Sequence, residues 1–132
     1  MTPTEQTKEK ILTIPSLKFF NDDWNILLKF LKSKGNPKWK MLGDLHLWFA
    51  PIKSLENLQS VGGNLNLTSC PIESLGNLTS VGGRLVLLYT QIESFGNLTS
   101  VGGDLIYTPL SKTISEEDIR SKVNIKGNIY LQ

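Results

Sequence analysis

The sequence predicts an α/β solenoid, a stack of short parallel strands with helices at its ends, and three observations lead there. The chain aligned on itself has a period of 20 residues, with units LHLWFAPIKSLENLQSVGGN from Leu45, LNLTSCPIESLGNLTSVGGR from Leu65 and LVLLYTQIESFGNLTSVGGD from Leu85. Residues 72–83 and 92–103 match at eleven of twelve positions, differing only at Leu75 and Phe95, and self-similarity at such a period marks repeat architectures. Apolar residues also recur at seven fixed offsets, which in the middle unit are Leu65, Leu67, Cys70, Ile72, Leu75, Leu78 and Val81. Over three units 20 of these 21 sites are apolar, Thr90 being the exception, where composition alone would give about 8. Finally, 20 residues are too few for a strand, a full helix and two turns, so each unit is one coil.

In chain order, residues 1–10 are expected to fray, and ILTIPSLKFF (11–20) to pack on an N-terminal cap. Residues 21–35 read as a helix: Asn21 as N-cap, Asp22 and Asp23 in the first turn, lysines in the last, Gly35 as stop and Pro37 beyond. Trp24, Leu27, Leu28 and Leu31 make an apolar stripe to dock on the first coil. In each coil Leu65 and Leu67, or their equivalents, form a short strand with alternate side chains inward. The spacing of three from Ile72 to Val81 suits an extended or 3₁₀ return path. The Gly-Gly of each SVGG turns the chain into the next strand, using φ > 0 conformations that other residues resist. Strand starts follow Gly43, Gly63, Gly83, Gly103 and Gly127, so five parallel strands span roughly 19 Å. In the last unit Ser115 and Asp118 form a capping-box variant ahead of a short helix. The boundaries are 1–42 for the helical cap, 43–104 for three repeats and 105–132 for a C-terminal capping repeat, all in one structural domain.

With 132 residues, 39% hydrophobic and 20% charged, the composition is that of one folded domain rather than a disordered chain. A single cysteine cannot form an internal disulfide, and the chain contains neither an apolar signal region nor a membrane-length apolar run. Cytoplasmic localisation is the expectation. The net charge of +2 predicts no generic attraction to nucleic acid or membrane.

The openings LNLTSCPI, LVLLYTQI and LHLWFAPI resemble the leucine-rich repeat family, whose units begin L-x-L-x-x-[N/C/T]-x-[L/I], over residues 43–132. The resemblance implies a concave strand face and an inward ladder supporting the turn after each strand, here Ala50, Cys70 and Thr90. Ala50 departs from the pattern because it has no polar atom to bond the backbone. So short a chain of near-identical units looks like compact leucine-rich repeat proteins of bacteria and phages. That likeness implies an intracellular regulator or inhibitor, including a phage counter-defence (anti-CRISPR-like) protein aimed at a host nuclease.

Catalytic chemistry is not assembled by this pattern. Nucleophilic catalysis needs a base beside a nucleophile, and the strand alternation points Cys70 inward and His46 outward. No Cys or His partner stands at metal-ligand spacing from His46. Glu56, Glu73 and Glu93 read as solvated charges, and the VGG turns lack the lysine of a phosphate loop. Asn66, Asn77 and Asn97 begin N-x-T triplets, which are glycosylation acceptors only in a secreted protein. No enzyme activity, cofactor or metal is expected.

The repeats differ from one another mainly at outward strand positions. The columns read Asp44, Asn64, Arg84, Asp104; His46, Asn66, Val86, Ile106, Tyr130; Trp48, Thr68, Leu88, Thr108; and Phe49, Ser69, Tyr89, Pro109. Drift at solvent-facing sites favours polar residues, whereas these include Trp48, Phe49, Val86, Leu88, Tyr89, Ile106 and Tyr130. An exposed apolar patch of several hundred Å² marks a binding site. The expected partner-binding set is therefore His46, Trp48, Phe49, Asn66, Arg84, Val86, Leu88, Tyr89, Ile106 and Tyr130, with an Arg84–Asp104 pair as a weak polar handle. Residues 1–40 carry net +4, residues 41–104 net −3 and residues 105–132 net +1. Lys29, Lys32, Lys34, Lys38 and Lys40 gather around Trp39 as a possible basic patch. Three readings follow: a non-enzymatic module that occludes or locks a protein or ribonucleoprotein partner, a nucleic-acid contact protein using the basic cap, or a self-associating structural protein. The expected oligomeric state is monomer or weak homodimer.

Overall fold

Side chains that recur at seven offsets can share one interior only if successive coils stack in register, and they do. The computed structural model describes residues 11–111 and 113–132; the expectation for residues 1–10 lies outside them. Over this range the chain is a parallel-strand β-solenoid of about five turns built from two sheets. One has six strands, β1 (Leu12–Ile14), β2 (Trp39–Met41), β4 (Leu58–Val61), β6 (Ser80–Val81), β8 (Ser100–Val101) and β10 (Asn124–Ile125). The other has five, β3 (Leu45–His46), β5 (Leu65–Asn66), β7 (Leu85–Leu87), β9 (Leu105–Tyr107) and β11 (Ile129–Leu131). Register follows the repeat, with Leu45, Leu65, Leu85, Leu105 and Ile129 aligned in one column. Between the sheets lies one apolar interior containing Leu67, Ile72, Leu75, Leu78 and Val81 and their equivalents.

The six-stranded sheet refines the expectation of an extended or 3₁₀ return path: each return path ends by pairing as a strand, Ser60↔Ser80↔Ser100 and Val61↔Val81↔Val101. Among the described residues the only 3₁₀ turn is Leu17–Phe20.

The Gly-Gly corners join the two sheets, and the reason for glycine differs from the expected one. None of Gly62, Gly63, Gly82, Gly83, Gly102 and Gly103 has φ > 0. What they need is space. A Cβ on Gly82 or Gly102 would collide with the carbonyl oxygen of Gly62 or Gly82 in the coil before. These backbones approach because Gly82 N–H donates to Val61 O at 2.8 Å and Gly83 N–H to Gly63 O at 2.9 Å. Left-handed backbone occurs instead where each return path bends, at Glu56, Gly76 and Gly96.

Helix α1 (Trp24–Ser33) starts later than expected. Asp23 is its N-cap, the carboxylate accepting from Asn25 N–H at 2.8 Å, whereas Asn21 is left-handed and ends the preceding 3₁₀ turn. A short polar side chain serves either end, so spacing alone misassigns it. Trp24, Leu27 and Leu31 are buried and Leu28 half-buried, and the Trp24 ring meets Trp39 at 5.9 Å.

At the other end, helix α2 (Glu116–Lys122) has a formed capping box: Asp118 N–H to Ser115 Oγ at 3.1 Å and Ser115 N–H to Asp118 Oδ2 at 3.0 Å. These bonds, the backbone one first, hold the Asp118 carboxyl below its usual range. One turn on, Arg120 performs a specific task. In earlier coils Val81 O accepts from Gly102 N–H, and Gly83 O from Gly103 N–H. In the fifth coil the equivalent oxygens belong to Ile125 and Gly127, and Arg120 Nη1 and Nη2 supply their hydrogen bonds at 2.8 and 2.9 Å. One guanidinium, itself held by Glu116 at 3.2 Å, stands in for two backbone donors of a sixth coil.

Two outcomes follow for chemical denaturation. Gly82→Ala should cost about 3 kcal/mol or more, since rigid backbone has to move, whereas Gly76→Ala, left-handed but with room for a methyl, should cost only about 1 kcal/mol; equal costs would mean that coil spacing is not limiting. Arg120→Met should destabilise by about 1–3 kcal/mol through two orphaned carbonyls and raise amide exchange chiefly in β10 and the fifth coil, a pattern that a uniform loss would contradict.

Candidate functional site

The turn after each strand of the five-stranded sheet decides which side chains face out. In the first coil it closes through Ala50 N–H to Leu47 O at 3.1 Å, and in the second through Cys70 N–H to Leu67 O at 3.0 Å. Its third residue is left-handed in three coils, with φ of 57° at Phe49, 58° at Ser69 and 57° at Tyr89. The first coil thus adopts the same turn although Ala50 offers no polar side chain. In the next two the ladder position is buried: Cys70 Sγ donates to Leu47 O at 2.7 Å and Thr90 Oγ1 to Leu87 O at 3.3 Å.

Trp48, Phe49, Tyr89 and Tyr130 are 55%, 74%, 65% and 45% exposed, and the His46 and Trp48 rings lie 5.2 Å apart. His46 and Arg84 are exposed, while Asn66, Leu88 and Ile106 are half-buried. Val86 differs from expectation. Only 8% exposed yet outside the interior cluster, it sits in a middle strand with Asn66 and Ile106 at the same level on either side, so its neighbours close over it.

The column Asp44, Asn64, Arg84, Asp104 is not one to which the fold is indifferent. Asp44 Oδ1 accepts from Asn64 N–H at 2.7 Å, Asn64 Oδ1 from Arg84 N–H at 2.8 Å and Asp104 Oδ1 from Asn128 N–H at 2.8 Å. Each short acceptor satisfies the backbone one coil on; Arg84 has no acceptor and interrupts the series. Among the described residues Arg84 makes no ion pair with Asp104. The N-x-T triplets also have structural work. Thr79 and Thr99 hydroxyls donate to Gln59 O at 2.9 Å and Thr79 O at 3.0 Å, Asn97 Nδ2 donates to Gly76 O at 3.1 Å, and Asn66 Oδ1 accepts from the Thr68 hydroxyl at 2.6 Å.

The basic residues divide. Lys29, Lys32 and Lys34 are exposed, Lys34 Nζ lying 5.6 Å from the Phe30 ring centre, and Lys38 and Lys40 are half-buried. Trp39, expected at their centre, is wholly buried and offers no stacking face. Sequence reasoning also missed a cleft of about 430 Å³ lined by Ser16, Leu17, Lys18, Asp22, Asp44, His46 and Trp48. Its signal was weak because four of its seven lining residues come from residues 16–22, which lie outside the repeat. Among the described residues no helix is long and apolar enough to cross a membrane.

Burial pushes the Cys70 thiol above its ordinary pKa, a backbone bond from Ala50 partly opposing it, and its sulfur is already engaged with Leu47 O. The native protein should therefore react with a thiol reagent at pH 8 about a thousandfold more slowly than the denatured chain; stoichiometric native labelling within seconds would show that the ladder opens. No family model, no curated protein and no solved structure matches the chain.

Proposed function

We infer that the protein is a non-enzymatic, leucine-rich-repeat-type binding module of the cytoplasm, α1 capping one end of its stack, that occludes or locks a macromolecular partner through the outer face of the five-stranded sheet. One observation carries this. Phe49 and Tyr89 are largely exposed and left-handed, a backbone that costs a bulky L-residue about 1–2 kcal/mol. Glycine or asparagine would relieve that cost and lose little buried surface. Large aromatic side chains held where neither conformation nor burial rewards them break a local rule without a folding gain, and such breaks gather at functional sites. Trp48 and Tyr130 extend the set across the sheet. Without a catalytic constellation, such a module acts on its partner by covering a site or selecting a conformation. The narrower expectation of an anti-CRISPR-like inhibitor rests on the family resemblance alone.

Each aromatic or leucine covered by a partner contributes about 1.5–3 kcal/mol. Leu88→Asp with Tyr89→Ser should therefore weaken partner binding by about a hundredfold or more, with the native fold retained at the assay temperature, when partners are recovered from native-host lysate and titrated back. Charge reversal at Lys29, Lys32 and Lys34 should leave binding intact. Loss on charge reversal alone, with steep salt dependence, would favour the nucleic-acid reading instead, and a stable dimer abolished by the double substitution would favour self-association.

A further inference from the structure

The two sheets do not end together. At the N-terminal end the six-stranded sheet gains β1, paired with β2, but after Pro15 the chain turns into the 3₁₀ segment instead of crossing the corner. Among the described residues the five-stranded sheet therefore stops at β3, one strand short. In later coils Asn64 O, Asn66 O and Thr68 O accept from Leu45, Leu47 and Phe49 N–H at 2.8, 2.9 and 2.9 Å. The equivalent oxygens of the first coil are those of Asp44, His46 and Trp48, and among the described residues none accepts a backbone hydrogen bond. By the same alternation the amides of Asp44 and His46 point the same way. Such an edge is a template for another strand. Asp44, His46 and Trp48 also line the 430 Å³ cleft, together with Ser16, Leu17, Lys18 and Asp22.

We propose that this half-coil vacancy binds a single extended segment of a partner protein, which adds to β3 as a sixth parallel strand and lays alternate side chains against His46 and Trp48. The proposal rests on the binding-module reading and names its mode, strand addition, in which main-chain bonds give affinity and alternate side chains specificity. A second copy of this chain fits poorly. Its terminal coil would bring β10 along with β11, and β1 already occupies the place β10 would need. A lone strand needs only the place beside β3. Of the titratable groups lining the cleft, Asp44 is engaged by Asn64 N–H at 2.7 Å and by His46 Nε2 at 3.8 Å, so Asp22 beside Lys18 is the carboxylate left to meet a basic residue of the segment.

The test is selection of random linear dodecapeptides on the full-length protein, followed by NMR titration of the strongest synthetic peptide. Expected are shift changes centred on the Asp44, His46 and Trp48 amides, slower exchange of the Asp44 and His46 amides, and enrichment of extended, basic sequences. His46→Pro removes an outward amide at an edge, where proline is tolerated, and should weaken the peptide about tenfold or more; Lys122→Gln, exposed at the far end of the stack on α2, should leave peptide binding unchanged. Should His46→Pro fail to fold, the wild-type shift and exchange map decides alone. No selectable peptide, a shift map elsewhere, His46 exchange already slow in the free chain, or dimerisation in place of peptide binding would each overturn strand addition. The partner-binding reading would survive any of these if lysate capture still depended on Leu88 and Tyr89.

Discussion

The closeness of successive backbones at the Gly-Gly corners governs the rest of the structure. Parallel strands sit about 4.8 Å apart, and here that spacing has to hold through a change of direction between two sheets. Gly82 can follow Gly62 because neither carries a Cβ to separate the coils. Once the corner is fixed, the residues on either side have little freedom: Val81 lies above Val61 and Leu85 above Leu65. The apolar columns are thus a consequence of corner spacing as much as a cause of stacking. At the two ends Met41 and Ile125 continue the valine column, while Leu42 and Lys126 stand where the middle corners have their first glycine.

Much of the fold was legible because its signals repeat. Seven apolar offsets sampled three times identify the interior even though several strands are only two residues long, and the Ser115–Asp118 capping box declares the start of α2. The six-stranded sheet was harder to see. Ser80–Val81 is too short to show alternation of its own, and a spacing of three is compatible with several backbone paths until pairing between coils selects one. The corner glycines were located correctly and explained wrongly, since sequence reveals glycine but not whether it serves dihedral freedom or close approach. Asn21 and Asp23 illustrate a limit of spacing: each can terminate a helix, and the end it serves depends on how Leu17–Phe20 folds.

Legibility of the candidate site is mixed, and the reason is again pairing between coils. Comparing repeats located Trp48, Phe49 and Tyr89 because they depart from polar expectation at outward positions. The same comparison misread Asp44, Asn64 and Asp104 as free to vary. Aspartate and asparagine do alternate there, but both supply the one oxygen that the next coil's amide requires. Variation between two residues that share a function is constraint in disguise. Val86 shows the complementary error, because an outward side chain in a middle strand can still be covered by its neighbours.

The first coil concentrates the departures. Ala50 stands where Cys70 and Thr90 make hydrogen bonds, and Glu56 is left-handed where the next two coils use Gly76 and Gly96. Its outward positions are His46, Trp48 and Phe49, and among the described residues its edge carbonyls accept no backbone hydrogen bond, whereas at the opposite end Arg120 has closed the corner acceptors of Ile125 and Gly127. A coil with a neighbour on each face has to satisfy both and is held close to one sequence, as residues 72–83 and 92–103 show. A terminal coil answers to one neighbour in the five-stranded sheet and can depart from the pattern at the cost of a few local contacts. The middle coils therefore maintain the stack, whereas the first coil joins two exposed aromatic side chains, Trp48 and Phe49, to left-handed backbone at Phe49 and Glu56, and the proposed recognition of a partner is placed where the structural obligations are fewest.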